Sequence, residues 1–217
     1  MELASLCQNE GVDYTDALNL CKGTGLQHLG FPRMFPARDT IASAIAVSVA
    51  HRTGGPGLIR AASHVREQAP QNVVGIVKRA LARCGRRVRH SRIAILGLDG
   101  LRGLTELKHK PFEVIQTLKR RGATISLYPG ENFSWPTEGL ILDNVRIEKT
   151  VTKAIEKAHC ALIALEGPVE GELNAQRLAS EMSRPAAICD LTRVMEASNV
   201  ERAGLFYTSI GRGWPEA

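Results

Sequence analysis

The chain has 217 residues, 44% of them apolar, which is enough for one ordinary core or for one core with a smaller helical appendage. Its 28 Lys and Arg against 22 Asp and Glu give a net charge of +6, the balance of a protein that meets anions, without choosing between nucleic acid, phosphorylated metabolites and neither. Five cysteines, odd in number and with no C-x-x-C pair, argue against a zinc knuckle or a disulfide frame and read as reduced thiols of a cytoplasmic protein.

The N-terminus, "MELASLCQNEG", lacks the positive region and apolar run of a signal peptide. The longest apolar run, "IASAIAVSVA" over residues 41–50, is about half the length of a bilayer-spanning helix, so no membrane association is expected. Through residue 90 the apolar positions recur at helical spacing, broken at Gly11, at Gly23 and Gly25, and at "TGGPG" over residues 53–57. Asp13 is the N-cap of a short helix ending near Cys21, and Asp39 stands where a helix through "TIASAIAVSVA" would open. A long helix begins near Leu58, meets Pro70, resumes with Val73, Val74, Val77, Leu81 and Cys84 on one face, and stops at Gly85.

From Arg92 the pattern changes to short β-rich runs alternating with amphipathic stretches, which is how βα units of a parallel sheet read. Strands are expected at 93–98, 124–128, 161–165 and 186–189, with a weaker one at 145–147. Helices fall at 111–121, closed by Gly122, and at 150–158 and 174–182; Pro111 suits a first helical turn, where its missing N–H costs nothing. The fold expected is α/β: an all-helical segment over residues 1–90, then a Rossmann-like three-layer domain with a parallel sheet over 91–217.

The stretch "SRIAILGLDGLRGL" sets Gly97, Gly100 and Gly103 after the first strand, at G-x-x-G-x-x-G spacing. A dinucleotide loop is G-x-G-x-x-G, opens its helix at once, and is followed by an acid at the end of the next strand. Here the helix waits until Pro111, and "SLYPGEN" places Pro129 and Gly130 before Glu131, so structural turn glycines are the better reading. In "KHKP", Lys108 and Lys110 run into a helix N-terminus, where two cations and the helix dipole would favour a phosphate; a solvated basic loop is the plainer alternative. Asp99, Glu166 and Asp190 follow strands at the edge where open α/β sheets gather ligands, and each is equally readable as a turn residue.

"VKRALARCGRRVRHSR", residues 77–92, holds seven Lys or Arg, and His90 besides. With no aromatic residue nearby to stack bases, it reads as a solvated helix end and connector ahead of a nucleic-acid patch. The six histidines show no metal-ligand spacing, and neither a G-x-S-x-G elbow nor a Walker loop occurs. "GFPRMFP", residues 30–36, reads as a loop packed on the core.

Four stretches in order, "ELASLCQNEGVDYTDALNL", "GLIRAASHVREQAPQNVVGIVKRAL", "RIAILGLDGLRGLTELKHKPFEVIQTLKRRGATISLY" and the closing "AIEKAHCALIALEG", "AAICDLTRV" and "GLFYTSIGRG", resemble the C-terminal portion of the UDP-glucose/GDP-mannose dehydrogenase family of NAD-dependent nucleotide-sugar dehydrogenases. The resemblance implies the end of the family's long central helix, the helices of its dimer-forming domain, and its C-terminal Rossmann-like domain. It also implies a nucleotide sugar as ligand, a homodimer, and NAD as the family's cofactor.

The departures set the expected limits. On this reading the chain begins inside the central helix, ahead of which the family has its NAD-binding domain, and a separate cofactor-binding subunit could complete it. The family's catalytic loop, G-x-G-G-H-C, falls on "GTGLQHLGFPRMFPARDTI", residues 23–41, which has no cysteine; Cys21 precedes the loop and does not inherit the role. The loop lysine of the family falls on Leu101, its arginine on Lys108, its proline on Pro111 and its helix asparagine on Arg66. The expectation is therefore UDP-sugar binding and assembly without hydride transfer by this chain alone. Lys108, Lys110, Arg33 and Arg38 are the substrate-binding candidates, with no catalytic and no metal residue. A non-enzymatic oligomerisation module and a nucleic-acid binder are the alternatives.

Overall fold

Strands that must hide both faces become a parallel sheet covered by helices on each side, and the runs after residue 91 do so here. In a computed structural model of the chain, residues 2–21, 57–97, 110–130, 145–164 and 173–212 are described. β1 (Arg92–Leu96), β2 (Thr124–Tyr128), β3 (Val145–Ile147), β4 (Cys160–Ile163), β5 (Ala187–Asp190) and β6 (Phe206–Ser209) form one six-stranded sheet of order β3-β2-β1-β4-β5-β6. All five pairings are parallel. This is the order of the doubly wound dinucleotide-type fold, reversing between β1 and β4, and the expected Rossmann-like α/β architecture is borne out.

Side chains alternate between the two faces, as the strand period requires. Ile93, Ile95, Ile125, Leu127, Leu162 and Cys189 face the layer made by α3 (Gly57–Arg83) and α4 (Lys110–Arg120). Ala94, Leu96, Ala161, Ile163 and Ile188 face α5 (Val151–Ile155), α6 (Ala175–Glu181) and α7 (Ala197–Arg202). The first helices, α1 (Glu2–Asn9) and α2 (Tyr14–Leu20), place Ala4 and Tyr14 in the same cluster as α3.

The cap expected at Asp13 is in place, and Asn174, expected as the first residue of its helix, stands just before it as an N-cap. The Asp13 side chain accepts the Thr15 N–H at 2.7 Å, and the Asn174 side chain accepts the Gln176 N–H at 2.9 Å. α3 runs unbroken through Pro70 and ends where expected, with Gly85 in the left-handed region at φ +67. There the Arg86 N–H reaches the Leu81 carbonyl at 2.9 Å and the Gly85 N–H the Ala82 carbonyl at 2.9 Å, a Schellman closure.

The differences have local causes. β1 stops at Leu96 because Gly97 turns away while its N–H still bonds the Tyr128 carbonyl at 2.8 Å. α5 ends at Ile155, short of the expected residue 158, because Lys157 adopts φ +57 and donates its N–H to the Glu181 carbonyl at 2.8 Å. Periodicity did not mark α7, a six-residue helix burying only Val200, or β6, an edge strand with Phe206 exposed.

Arg33, Arg38, Lys108 and the helix expected after Asp39 lie outside the described residues. Among the described residues no helix is long and apolar enough to cross a membrane.

The later turns of α3 belong to the sheet's core: Val73, Val74, Ile76, Val77, Ala80, Leu81 and Cys84 are buried in one cluster with the strands. Leu81→Ala is expected to cost about 2–5 kcal/mol in denaturant unfolding, through lost burial and the cavity left behind. A sheet transition unmoved by that change would make α3 a separate unit.

Candidate functional site

In an open α/β sheet the crevice for a ligand lies beyond the carboxyl ends of the strands, where the order reverses. Here that is the gap between β1 and β4, framed by Gly97 and by Ala164, whose N–H bonds the Leu96 carbonyl at 2.8 Å. Lys108, Asp99 and Glu166 belong to the stretches after these two strands and lie, with Arg33 and Arg38, outside the described residues. Lys110 is the first residue of α4, so its backbone belongs to the helix N-terminus, the end whose free N–H groups favour an anion. Glu113 in the same first turn already places one negative charge there.

The described residues do not fit NAD in the usual way. β2 ends at Tyr128 and is followed by Pro129 and Gly130, both buried, where a ribose-binding acid would stand.

At the far side of this edge, Asp190 is fully buried and turned inward. Its Oδ1 accepts the Thr192 N–H at 3.1 Å and the Thr192 hydroxyl at 3.2 Å, and its Oδ2 accepts the Met195 N–H at 2.9 Å and the Tyr207 hydroxyl at 3.3 Å. Of its two readings, ligand group or turn residue, the bonding supports the second, because both oxygens are occupied by the loop they organise. Burial, and then the charge of Asp190, push the Tyr207 phenol far above its usual range, so it serves as a permanent donor.

The same loop grips the N-terminal helices. Arg193, at φ +54, donates from Nη1 to Asp13 Oδ1 at 2.9 Å and to the Thr15 hydroxyl, and from Nη2 to the Ile210 carbonyl at 3.2 Å. The Tyr14 N–H meets the Gly211 carbonyl at 2.7 Å. Gly211 has φ +69, and a Cβ there would stand 2.7 Å from Tyr14 Cβ and 2.9 Å from Ala4 Cβ, so only glycine admits this contact. Arg212 pairs with Glu201 at 2.8 Å and lies over the Tyr207 ring, 5.2 Å from its centre. Nothing in the sequence links Asp13 to Arg193, because neither periodicity nor spacing connects residues so far apart.

The cysteines offer no nucleophile in the core. Cys84, Cys160 and Cys189 are buried, and the Sγ atoms of the last two lie 3.6 Å apart. Burial and the neighbouring Cys160 push the Cys84 thiol up to about 11, and the contact with Cys160, with burial, lifts Cys189 well above the ordinary range. Such thiols stay protonated at neutral pH, and the thiolate is the reactive form. Cys21 is half-buried where α2 ends. Since the unfolded chain's thiol ionises near its ordinary value of 9, the contribution of Cys84 is intact below that pH and is lost as pH rises toward about 11. Denaturant unfolding between those pH values should show stability falling, and Cys84→Ala should make the fall shallower.

No family model matches the chain. The UDP-glucose 6-dehydrogenase of Rhizobium meliloti (strain 1021) is 25% identical over 223 residues, which cover 97% of this chain and 48% of that protein. The chain thus spans about half the length of the curated relative it matches. Among solved structures, UDP-D-ManNAc dehydrogenase from Pyrococcus horikoshii superposes with a TM-score of 0.73 at 20% identity, over 98% of this chain and 47% of that one. NDP-N-acetyl-D-galactosaminuronic acid dehydrogenase from Methanosarcina mazei Go1 gives 0.71 at 16% identity, over 98% and 46%. At these identities the two structures show a shared fold. The resemblance read from the sequence is therefore borne out: along nearly its whole length the chain matches the C-terminal portion of nucleotide-sugar dehydrogenases.

Proposed function

We propose that the chain is the nucleotide-sugar-binding and assembly portion of an NAD-dependent UDP-sugar 6-dehydrogenase-like enzyme, acting in the cytoplasm. The observation that carries this reading is the similarity over 97% of the chain to a UDP-glucose 6-dehydrogenase. The reversal of strand order between β1 and β4 supports it by providing a crevice of the kind nucleotides occupy.

On this reading residues 91–217 form the UDP-sugar-binding-type domain. Lys108 and Lys110 meet the diphosphate at the start of α4, and Arg33 and Arg38 contribute from the preceding segment. Each supplies a charge-assisted bond to a phosphate oxygen. The chain alone neither binds NAD nor transfers hydride; a cofactor domain or subunit supplies that half, and with it the oxidation of the sugar alcohol. Residues 1–90 stand for the family's central, dimer-forming part. Leu3, Leu6, Val12 and Leu20 leave 45–83% of their surface exposed on and around α1 and α2, an apolar cost that a second copy of the chain would remove.

Calorimetric titration with UDP and UDP-glucose tests the reading, with NAD as the control ligand. Binding of the uridine nucleotides is expected, together with about tenfold weaker binding by Lys108→Ala, the scale of one charge-assisted hydrogen bond. Absence of heat with every uridine nucleotide overturns ligand binding, and an unchanged Lys108→Ala affinity removes that residue from the site. Sedimentation in the same buffer should give a dimer at micromolar concentration.

A further inference from the structure

The opposite, amino-terminal edge of the sheet has a different chemistry. The loop from Gly85 to Ser91 enters β1 there, and α4 leaves there through Arg120 and Arg121. The fold locks the two together: the His90 N–H bonds the Gly122 carbonyl at 2.9 Å, the Thr124 N–H bonds the Ser91 carbonyl at 2.9 Å, and the Arg89 side chain lies against Gly122. Read alone, the run over residues 77–92 was a solvated connector; in the structure a second basic run, residues 119–121, is set beside it.

No Asp or Glu occurs between Glu67 and Asp99, or between Glu113 and Glu131. Across the edge, at the entrance to β4, Glu156 is already paired with Lys157 at 3.6 Å. None of Arg86, Arg87, Arg89, Arg92, Arg120 and Arg121 forms an ion pair with another described residue. Arg86 Nε is buried and has no hydrogen-bond partner among the described residues. Burial, together with Arg86 and Arg92, holds His159 below its ordinary range, a sign of the positive potential gathered at this edge.

We propose that this edge binds the phosphate backbone of double-stranded nucleic acid without reading its sequence. Spaced cations with no carboxylate among them suit a polyanion better than a single small anion, and the counterions a duplex releases would drive the association. Residues 73–92 and 113–127 contain no Phe, Tyr or Trp, so the two basic runs themselves offer no platform for stacking unpaired bases. Contact is then with phosphates alone, which carry no sequence information. The surface lies across the sheet from the nucleotide-sugar crevice, and its occupancy does not depend on that reading.

Fluorescence anisotropy with a labelled mixed-sequence DNA duplex of about 20 base pairs tests this, with potassium chloride varied from about 50 to 200 mM. Neutralising six phosphates predicts a log–log salt slope of about −5. The double variant Arg87→Gln/Arg121→Gln, which joins one residue from each run, should bind about tenfold or more weakly with a slope shallower by about 2. Arg87→Lys/Arg121→Lys should stay within about threefold of the unmodified chain. Both positions are exposed, and circular dichroism of each variant checks the fold. No binding at the lowest salt, salt-independent binding, an unaffected glutamine variant, or tighter binding of the single strand than of the duplex would each overturn the proposal.

Discussion

Everything in this fold follows from one requirement: a parallel sheet has no face that water can be left to cover. β1, β4 and β5 are buried on both sides, so a layer of helices must lie against each. On one side much of that layer is α3, which precedes the sheet in the chain. The helical segment is consequently part of what makes the sheet stable, and the rigid link from Leu81 through Gly85 to Arg92 sets where β1 begins. The loss expected for Leu81→Ala is the energetic expression of that dependence.

The sheet then presents two edges, at the carboxyl and the amino ends of its strands. At the carboxyl edge, Asp190 and Arg193 use their polar atoms on the protein's own backbone and on Asp13, tying the β5–β6 side to the N-terminal helices. At the amino edge, a loop and a helix end, both free of carboxylates, bring their arginines side by side. A nucleotide-sugar reading draws on the first edge and a polyanion reading on the second, so either can fail without the other. The buried thiols between α3 and the sheet belong to neither, since their protonated state suits packing rather than chemistry.

Much of this was legible beforehand. Four strands were placed within about two residues and β3 at its observed bounds, because short apolar runs bounded by glycine and polar turns have few other readings. Asp13, Asn174 and Gly85 mark helix ends because each satisfies backbone groups that a helix leaves open. The order of the stretches carried the resemblance to nucleotide-sugar dehydrogenases, which the similarity along the chain bears out. α7 and β6 escaped periodicity because a six-residue helix with one buried side chain and a half-exposed edge strand carry almost no pattern.

Local chemistry, then, was enough for the kind of fold and the sheet's element types, since these depend on spacing over a few residues. Contacts between distant segments depend on how the layers close, which no local pattern encodes. The pairing of Asp13 with Arg193, the close approach of Gly211 to Tyr14 and Ala4, the inward turn of Asp190, and the meeting of Arg89 with Gly122 all arise only when the helices close over the sheet. Tertiary packing alone separated a turn acid from a ligand acid, and joined two ordinary basic runs into one surface.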